Sequence, residues 1–239
     1  MPRLSRMEPM QQHPSRSAPS EHRWPVVIAL LVTLGLYAAL PSAFLGVERF
    51  AVVVIGLALL VPLVIVNPHR LTRQSPWSRA LAVTLAVGLV AANQLTLVLL
   101  IVQLLNAHSQ DAPGLLRAAL QVWVANVIGF AALYWELDRG GPVLRTMAAR
   151  DELPPADFRF PQDEDDDAVA EVAARSSVVR DWTPRFVDYL YSSLSNSMAF
   201  SATDAMPLSP RFKLLMGLQA FGCFLILALV IARSVNILG

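Results

Sequence analysis

Long apolar stretches alternate with short polar ones along most of the chain. Residues 24–46, 50–66, 80–105 and 115–135 contain few charges, and a last apolar stretch covers residues 210–235. Crossing the hydrocarbon layer takes about 20 apolar residues in a helix. The pattern therefore predicts an all-α membrane protein with five transmembrane helices.

A further stretch, residues 183–199, has helical spacing but is too short to cross. Thr183 and Pro184 are typical of a helix start. The next run, 200–209, has no helical pattern, and irregular backbone at membrane depth is tolerated only inside protein or beside water. We expect a re-entrant helix and loop; the alternative is an amphipathic helix lying flat on the bilayer.

Composition supports a membrane protein and divides the chain. With 55% hydrophobic and 15% charged residues, the chain is too apolar for an ordinary soluble domain. Residues 1–23 are predicted to be a disordered basic arm, 24–106 a three-helix membrane segment and 138–182 a soluble linker. The acidic run 163–167 is interpreted as part of that linker, or alternatively as a group that concentrates cations near an entrance.

Residues 188–207 resemble the second half of a potassium-channel pore. Against the family pattern D-x-L-Y-x-S-x-T-T-L-T-T-V-G-Y-G-D-x-x-P, the sequence aligns without a gap and keeps Asp188, Leu190, Tyr191, Ser193, Asp204 and Pro207. The resemblance implies a homotetramer with a pore-like domain over 115–239. Its parts would be an outer helix at 115–137, the linker at 138–182, a pore helix at 183–199, a filter-like loop at 200–209 and an inner helix at 210–237.

The selectivity filter of that family is altered here. Where the family has V-G-Y-G-D, this chain has Phe200, Ser201, Ala202, Thr203 and Asp204. A potassium filter needs backbone carbonyls aimed at the ion, and glycines permit that geometry. The resemblance thus implies a pore loop without potassium selectivity, lined by these five residues and Ser197. Alternatively, Thr203 and Asp204 only cap the turn and the following helix.

The distribution of arginines predicts how the protein is oriented in the membrane. They concentrate in the amino-terminal arm and in the loops after the second and fourth spans. Such an excess belongs in the cytoplasm, so we expect a cytoplasmic amino terminus and an external carboxyl terminus in the plasma (inner) membrane. A potassium channel has the reverse orientation, whereas glutamate-receptor channels carry a similar pore hairpin inverted.

The sequence lacks motifs typical of enzymes and of metal-binding or nucleotide-binding proteins. The chain has no zinc-binding helix motif, nucleotide-binding loop or nucleophile elbow, and its four histidines lie outside the predicted spans. We therefore expect no enzyme activity, no cofactor and no metal site. The basic residues flank membrane spans, where lipid attraction explains them without nucleic acid. The single cysteine, Cys223, is interpreted as a small packing residue.

Together with these patterns, the resemblance implies a homotetrameric pore-loop channel in the lipid bilayer that passes an inorganic ion. The alternative is a non-conducting channel-fold scaffold or accessory protein. The segments YWELDRGGP, DYLY, AFSATD and PRFKLLM are also similar to uncharacterised bacterial multi-pass membrane proteins. That second resemblance implies no activity.

Overall fold

Long helices make up most of the computed structural model, which describes residues 20–41, 46–106, 112–164, 168–199 and 205–238. The helices are α1 Trp24–Ala38, α2 Glu48–Val66, α3 Pro76–Asn106, α4 Ala112–Leu137, α5 Pro142–Met147, α6 Ala170–Ala173, α7 Ser177–Arg180, α8 Phe186–Ala199 and α9 Pro210–Leu238. Two short strands, β1 Phe158–Arg159 and β2 Met206–Pro207, form an antiparallel pair. This pair is an addition to the predicted all-α fold.

Four helical stretches are long and apolar enough to cross a membrane: Glu48–Val66, Pro76–Gln103, Pro113–Gly140 and Pro210–Ala232. The prediction of a predominantly helical protein is confirmed, and these four helices are consistent with a multi-pass membrane protein. The first predicted span differs, because α1 has only 15 residues. At 1.5 Å per residue it rises about 22 Å, less than the roughly 30 Å hydrocarbon layer. Residues 42–45 of that predicted span lie outside the described residues.

Helix α4 lies at the centre of the bundle. It packs against α1, α3, α8 and α9, and 67% of its span is buried, compared with 17% for α2. Small residues allow α3 and α4 to approach closely, since Ala118 and Ala125 are buried and a Cβ on Gly129 would lie 3.5 Å from Val90. The helix assigned to the outside of a pore is therefore the most enclosed of the four.

The segment after α4 folds back onto the end of the bundle. Phe158 follows the turn and packs edge-on against Phe212 of α9, with ring centroids 4.9 Å apart. Phe158 also contacts Tyr134 and Tyr189 at 5.3 and 6.2 Å. Aromatic pairs at these separations add to the stability gained by burial. The described part of the predicted linker thus includes residues that belong to the protein core.

The chain turns sharply after α4. Arg139, Gly140 and Gly141 have φ angles of 50°, 78° and 94°. Glycine reaches these angles without strain. A Cβ on Gly141 would also collide with the Arg79 guanidinium.

Residues 20–23, which the sequence analysis assigned to the basic arm, pair with the loop after α2. His22 and Arg70 form an isolated antiparallel β-bridge. The Arg23 amide donates to the His69 carbonyl at 3.1 Å, and the Leu71 amide donates to the Glu21 carbonyl at 3.0 Å. This pairing places the segment before α1 at the end of the bundle where α4 has its carboxyl end. We call this end of the bundle the charged end.

Candidate pore-loop site

Helix α8 begins at Phe186, three residues later than the predicted start at Thr183. The Asp188 carboxylate accepts a hydrogen bond from the Arg185 amide at 2.7 Å. Glu21, far away in sequence, accepts from the Phe186 amide at 2.6 Å. Acceptors at a helix amino terminus satisfy amides that have no partner inside the helix. The start of α8 is therefore set by two carboxylates.

Arg145 fastens this start to the end of α4. It is completely buried, and its Nε donates to the Pro184 carbonyl at 3.0 Å. Its Nη1 donates to the Trp135 carbonyl at 2.6 Å, and Nη2 lies 3.7 Å from Glu21 Oε2. The guanidinium also sits 5.0 Å from the centre of the Tyr189 ring. A buried charge persists only when it is paired in this way.

Asp138 joins the start of α8 to the start of α9. Its buried carboxylate accepts from the Tyr189 hydroxyl at 2.6 Å and from the Asp157 amide at 2.7 Å. The Asp157 side chain in turn pairs with Arg211, one residue into α9. Asp138 also lies 3.7 Å from Arg139, which forms a 2.6 Å pair with Asp163. Both helices therefore begin at one cluster of charges.

Deeper in the bundle, Gln219 of α9 connects three helices. Its Oε1 accepts from the Tyr134 hydroxyl of α4 at 2.9 Å and from Asn196 Nδ2 of α8 at 3.0 Å. Its Nε2 lies 2.6 Å from Ser193 Oγ and 2.9 Å from Ser197 Oγ. The Ser193 hydroxyl donates to the Val127 carbonyl of α4 at 2.7 Å. We call these side chains the Gln219 network: Tyr134, Ser193, Asn196, Ser197 and Gln219.

Ser197 is the one predicted pore-lining residue that the structure places. Its hydroxyl is buried, donates to the Ser193 carbonyl at 2.8 Å and accepts from Gln219. Residues 200–204, which contain Phe200, Ser201, Ala202, Thr203 and Asp204, lie outside the described residues. The chain is described again from Ala205, which is buried.

The opposite face of α8 is apolar and exposed. Val187, Tyr191 and Met198 are 61, 55 and 65% exposed. Their spacing puts them on one side of the helix, opposite the Gln219 network. Beyond the buried Phe186 and Tyr189 of its first turn, α8 has polar side chains inside and apolar side chains outside, which suits a surrounding of lipid or of another apolar protein surface. It does not suit water.

The residues that hold α8 in place differ in how far the sequence pattern predicts their burial and their partners. Gln219 is an amide within an apolar span, and such residues usually have a partner on another helix. Arg145 and Glu21 stand in polar surroundings, where nothing in the local pattern predicts burial. Within the described part of the chain, no group of three or more His, Cys, Asp or Glu side chains is placed to hold a metal ion.

Comparison with protein-family models, curated proteins and solved structures gave no match for this chain.

Proposed function

We propose that α8 and the link after it form a re-entrant loop that enters the membrane from the charged end and returns to it. The observation that supports this most strongly is that both ends of the loop are fastened there. Phe186 at the start of α8 is bound by Glu21, and Arg211 at the start of α9 is paired with Asp157. The Leu208 amide, just before α9, also donates to the Asp157 carbonyl at 2.7 Å.

The contacts between α8 and α9 give the two helices the same direction. Ser197 lies 11 residues after Phe186, and its partner Gln219 lies nine residues after Pro210. At 1.5 Å per residue these positions are about 17 and 14 Å from their helix starts. Two helices that start together and meet again at similar depth run parallel. Helix α8 therefore ends deep in the bundle, whereas α9 begins at the charged end.

On this framework the protein is a homotetrameric pore-loop channel that is not selective for potassium. The pore-lining groups proposed are Ser201, Thr203 and Asp204, which rest on the sequence alone. The exposed apolar face of α8 would be covered by the neighbouring subunits. Closed rings of identical subunits are common among oligomers, and a central pore needs such a ring.

Conductance is the direct test of this proposal. Purified protein in planar bilayers should carry currents whose ion preference changes in the D204N and T203A variants. The matched control is D151N, since Asp151 is exposed in the segment outside the bundle. Native mass spectrometry should give four chains per particle. A monomer, or a silent bilayer over varied ions, voltage and pH, contradicts the channel.

A non-conducting scaffold is the second candidate, and one observation favours it. Ser193, Asn196 and Ser197 are all buried and hydrogen-bonded within the subunit. Conduction would therefore depend on residues 200–204 and not on the placed polar face of α8. An oligomer that shows no conductance, with Tyr191 and Met198 packed against a neighbouring subunit or another protein, would favour the scaffold.

We also propose that the charged end faces the cytoplasm and the carboxyl terminus lies outside. Arg23, Arg70, Arg73 and Arg145 all lie at this end, where the positive-inside rule places them in the cytoplasm. A reporter that is active only in the periplasm should then be active after Gly239. Activity of a cytoplasmic reporter at that position contradicts the orientation.

A further inference from the structure

A narrow cleft opens at the charged end between α1, α2, α3 and α4. The cleft is open at its mouth, and its free volume is about 60 Å³. Its deeper walls are apolar and come from three helices, with Leu30 of α1, Leu60 and Leu63 of α2 and Leu85 of α3.

The mouth of the cleft is basic. Arg23, Arg73 and Arg79 line it, together with one carboxylate, Glu136. The hydroxyl of Ser78 and the side chain of Asn67 lie at the same level. Three guanidinium groups against one carboxylate give the mouth an excess of positive charge. Guanidinium groups bind phosphate well because their planar donors match its oxygens.

Arg23 is the most informative residue of this mouth. It is only 7% exposed, yet its Nε has no hydrogen-bond partner among the described residues. Its Nη1 reaches the Asn67 carbonyl only at 3.5 Å. Burial lowers the pKa of Arg23, and the charge of Glu136 opposes that shift. A buried guanidinium with an unused donor is costly unless a ligand completes its hydrogen bonds.

We propose that the mouth of this cleft binds one anionic phospholipid, with its phosphate at Arg23, Arg73 and Arg79 and its acyl chains in the surrounding bilayer. The phosphate supplies hydrogen-bond acceptors for the basic mouth, and the acyl chains remain in the bilayer beside it. Basic pockets between transmembrane helices are known to bind anionic headgroups. The proposal does not depend on whether the protein conducts.

Native mass spectrometry of the delipidated full chain tests the headgroup. Phosphatidylglycerol should form a one-to-one complex at least about tenfold tighter than phosphatidylcholine with the same chains, because both carry the phosphate but the choline cation is repelled by the three guanidinium groups. R23Q and R73Q should each weaken phosphatidylglycerol binding by about tenfold. R73Q is the safer variant for folding, because the Arg73 side chain is exposed and its backbone bonds to Asn67 remain.

Arg117 provides the matched control, since it is an exposed arginine of α4 outside the cleft, and R117Q should bind phosphatidylglycerol as the unmodified chain does. Six-carbon phosphatidylglycerol should bind more weakly than the long-chain form, and millimolar inorganic phosphate should displace neither. Equal binding of the two headgroups overturns the proposal, as does unchanged binding in both R23Q and R73Q. Displacement by phosphate alone overturns the lipid assignment.

Discussion

Helix α4 packs against α8 and against α3 in different ways. Toward α8, its polar groups are satisfied: the Val127 carbonyl accepts from Ser193 and the Tyr134 hydroxyl donates to Gln219. Toward α3, several buried polar atoms have no hydrogen-bond partner among the described residues. Both side-chain polar atoms of the fully buried Asn126 lack a partner among the described residues, as do single atoms of Asn93, Gln94 and Gln121.

The difference reflects what each interface must fix. Two long apolar helices are already confined by the membrane, and small residues such as Ala118 and Ala125 let α3 and α4 pack closely. Helix α8 is too short to be positioned by crossing the bilayer. Its depth and rotation are set by hydrogen bonds to α4 and α9. Polar groups at the α8 interface should therefore matter far more for stability than those at the α3 interface.

Asp138→Ala should have the largest effect. The Asp157 amide, the Phe158 amide and the Tyr189 hydroxyl would each lose a buried acceptor. Breaking such a buried charged network lowers the free energy of unfolding by about 3–5 kcal/mol. Unfolding by SDS titration, followed by circular dichroism, measures this loss. The exposed residue Asp151 gives the control, because D151A should change stability by less than about 0.5 kcal/mol.

Gln219→Leu should come second. The substitution keeps the volume nearly constant but leaves Ser193, Asn196 and Tyr134 without their shared partner. Each buried group that loses its partner costs about 1–3 kcal/mol, so we expect a total loss of about 2–4 kcal/mol after local rearrangement. Proteolysis of the native protein should also increase near α8. A variant as stable as the unmodified chain would mean that the Gln219 network does not position α8.

Ser193→Ala should have a smaller effect, and its neighbour provides a matched control. The Ser193 hydroxyl is buried and bonded to both Val127 and Gln219, whereas Ser195 of the same helix is only partly buried. We expect S193A to lower the free energy of unfolding by about 1–2 kcal/mol and S195A by much less. Equal effects of the two variants would show that helix propensity, and not the network, decides the result.

The sequence predicted the elements of this fold better than their environments. Apolar runs long enough to cross a membrane identified the four spanning helices, because length and hydropathy alone decide that property. Helical spacing also identified α8, but it did not show which face is buried. In water the apolar face would be inside; here Tyr191 is exposed and Ser193 is buried.

The parts that the sequence did not predict depend on contacts between distant residues. Glu21 stands in a polar arm, and its bond to Phe186 joins residues 165 positions apart. Arg145 looked like one of several loop arginines, yet it is completely buried. No local pattern carries such pairings, because each carboxylate or guanidinium is buried only when its partner arrives from another element. The filter-like residues remain a prediction from resemblance.

Asn126→Leu should have the smallest effect, although burial alone would predict a severe one. The side chain is completely enclosed, but within the described part of the chain it makes no hydrogen bond that could be lost. Replacing an unsatisfied buried amide by an apolar group of similar size recovers about 1–3 kcal/mol of desolvation. Tight packing works against this gain, because a Cβ on Gly222 would lie 2.9 Å from Leu97 and 3.9 Å from Asn126 Nδ2, and overpacking costs a similar amount. The two terms should nearly cancel, so the free energy of unfolding should change by less than about 1 kcal/mol, measured beside Gln219→Leu. A loss as large as that of Gln219→Leu would mean that Asn126 has a partner in the membrane, and the contrast between the two faces of α4 would disappear.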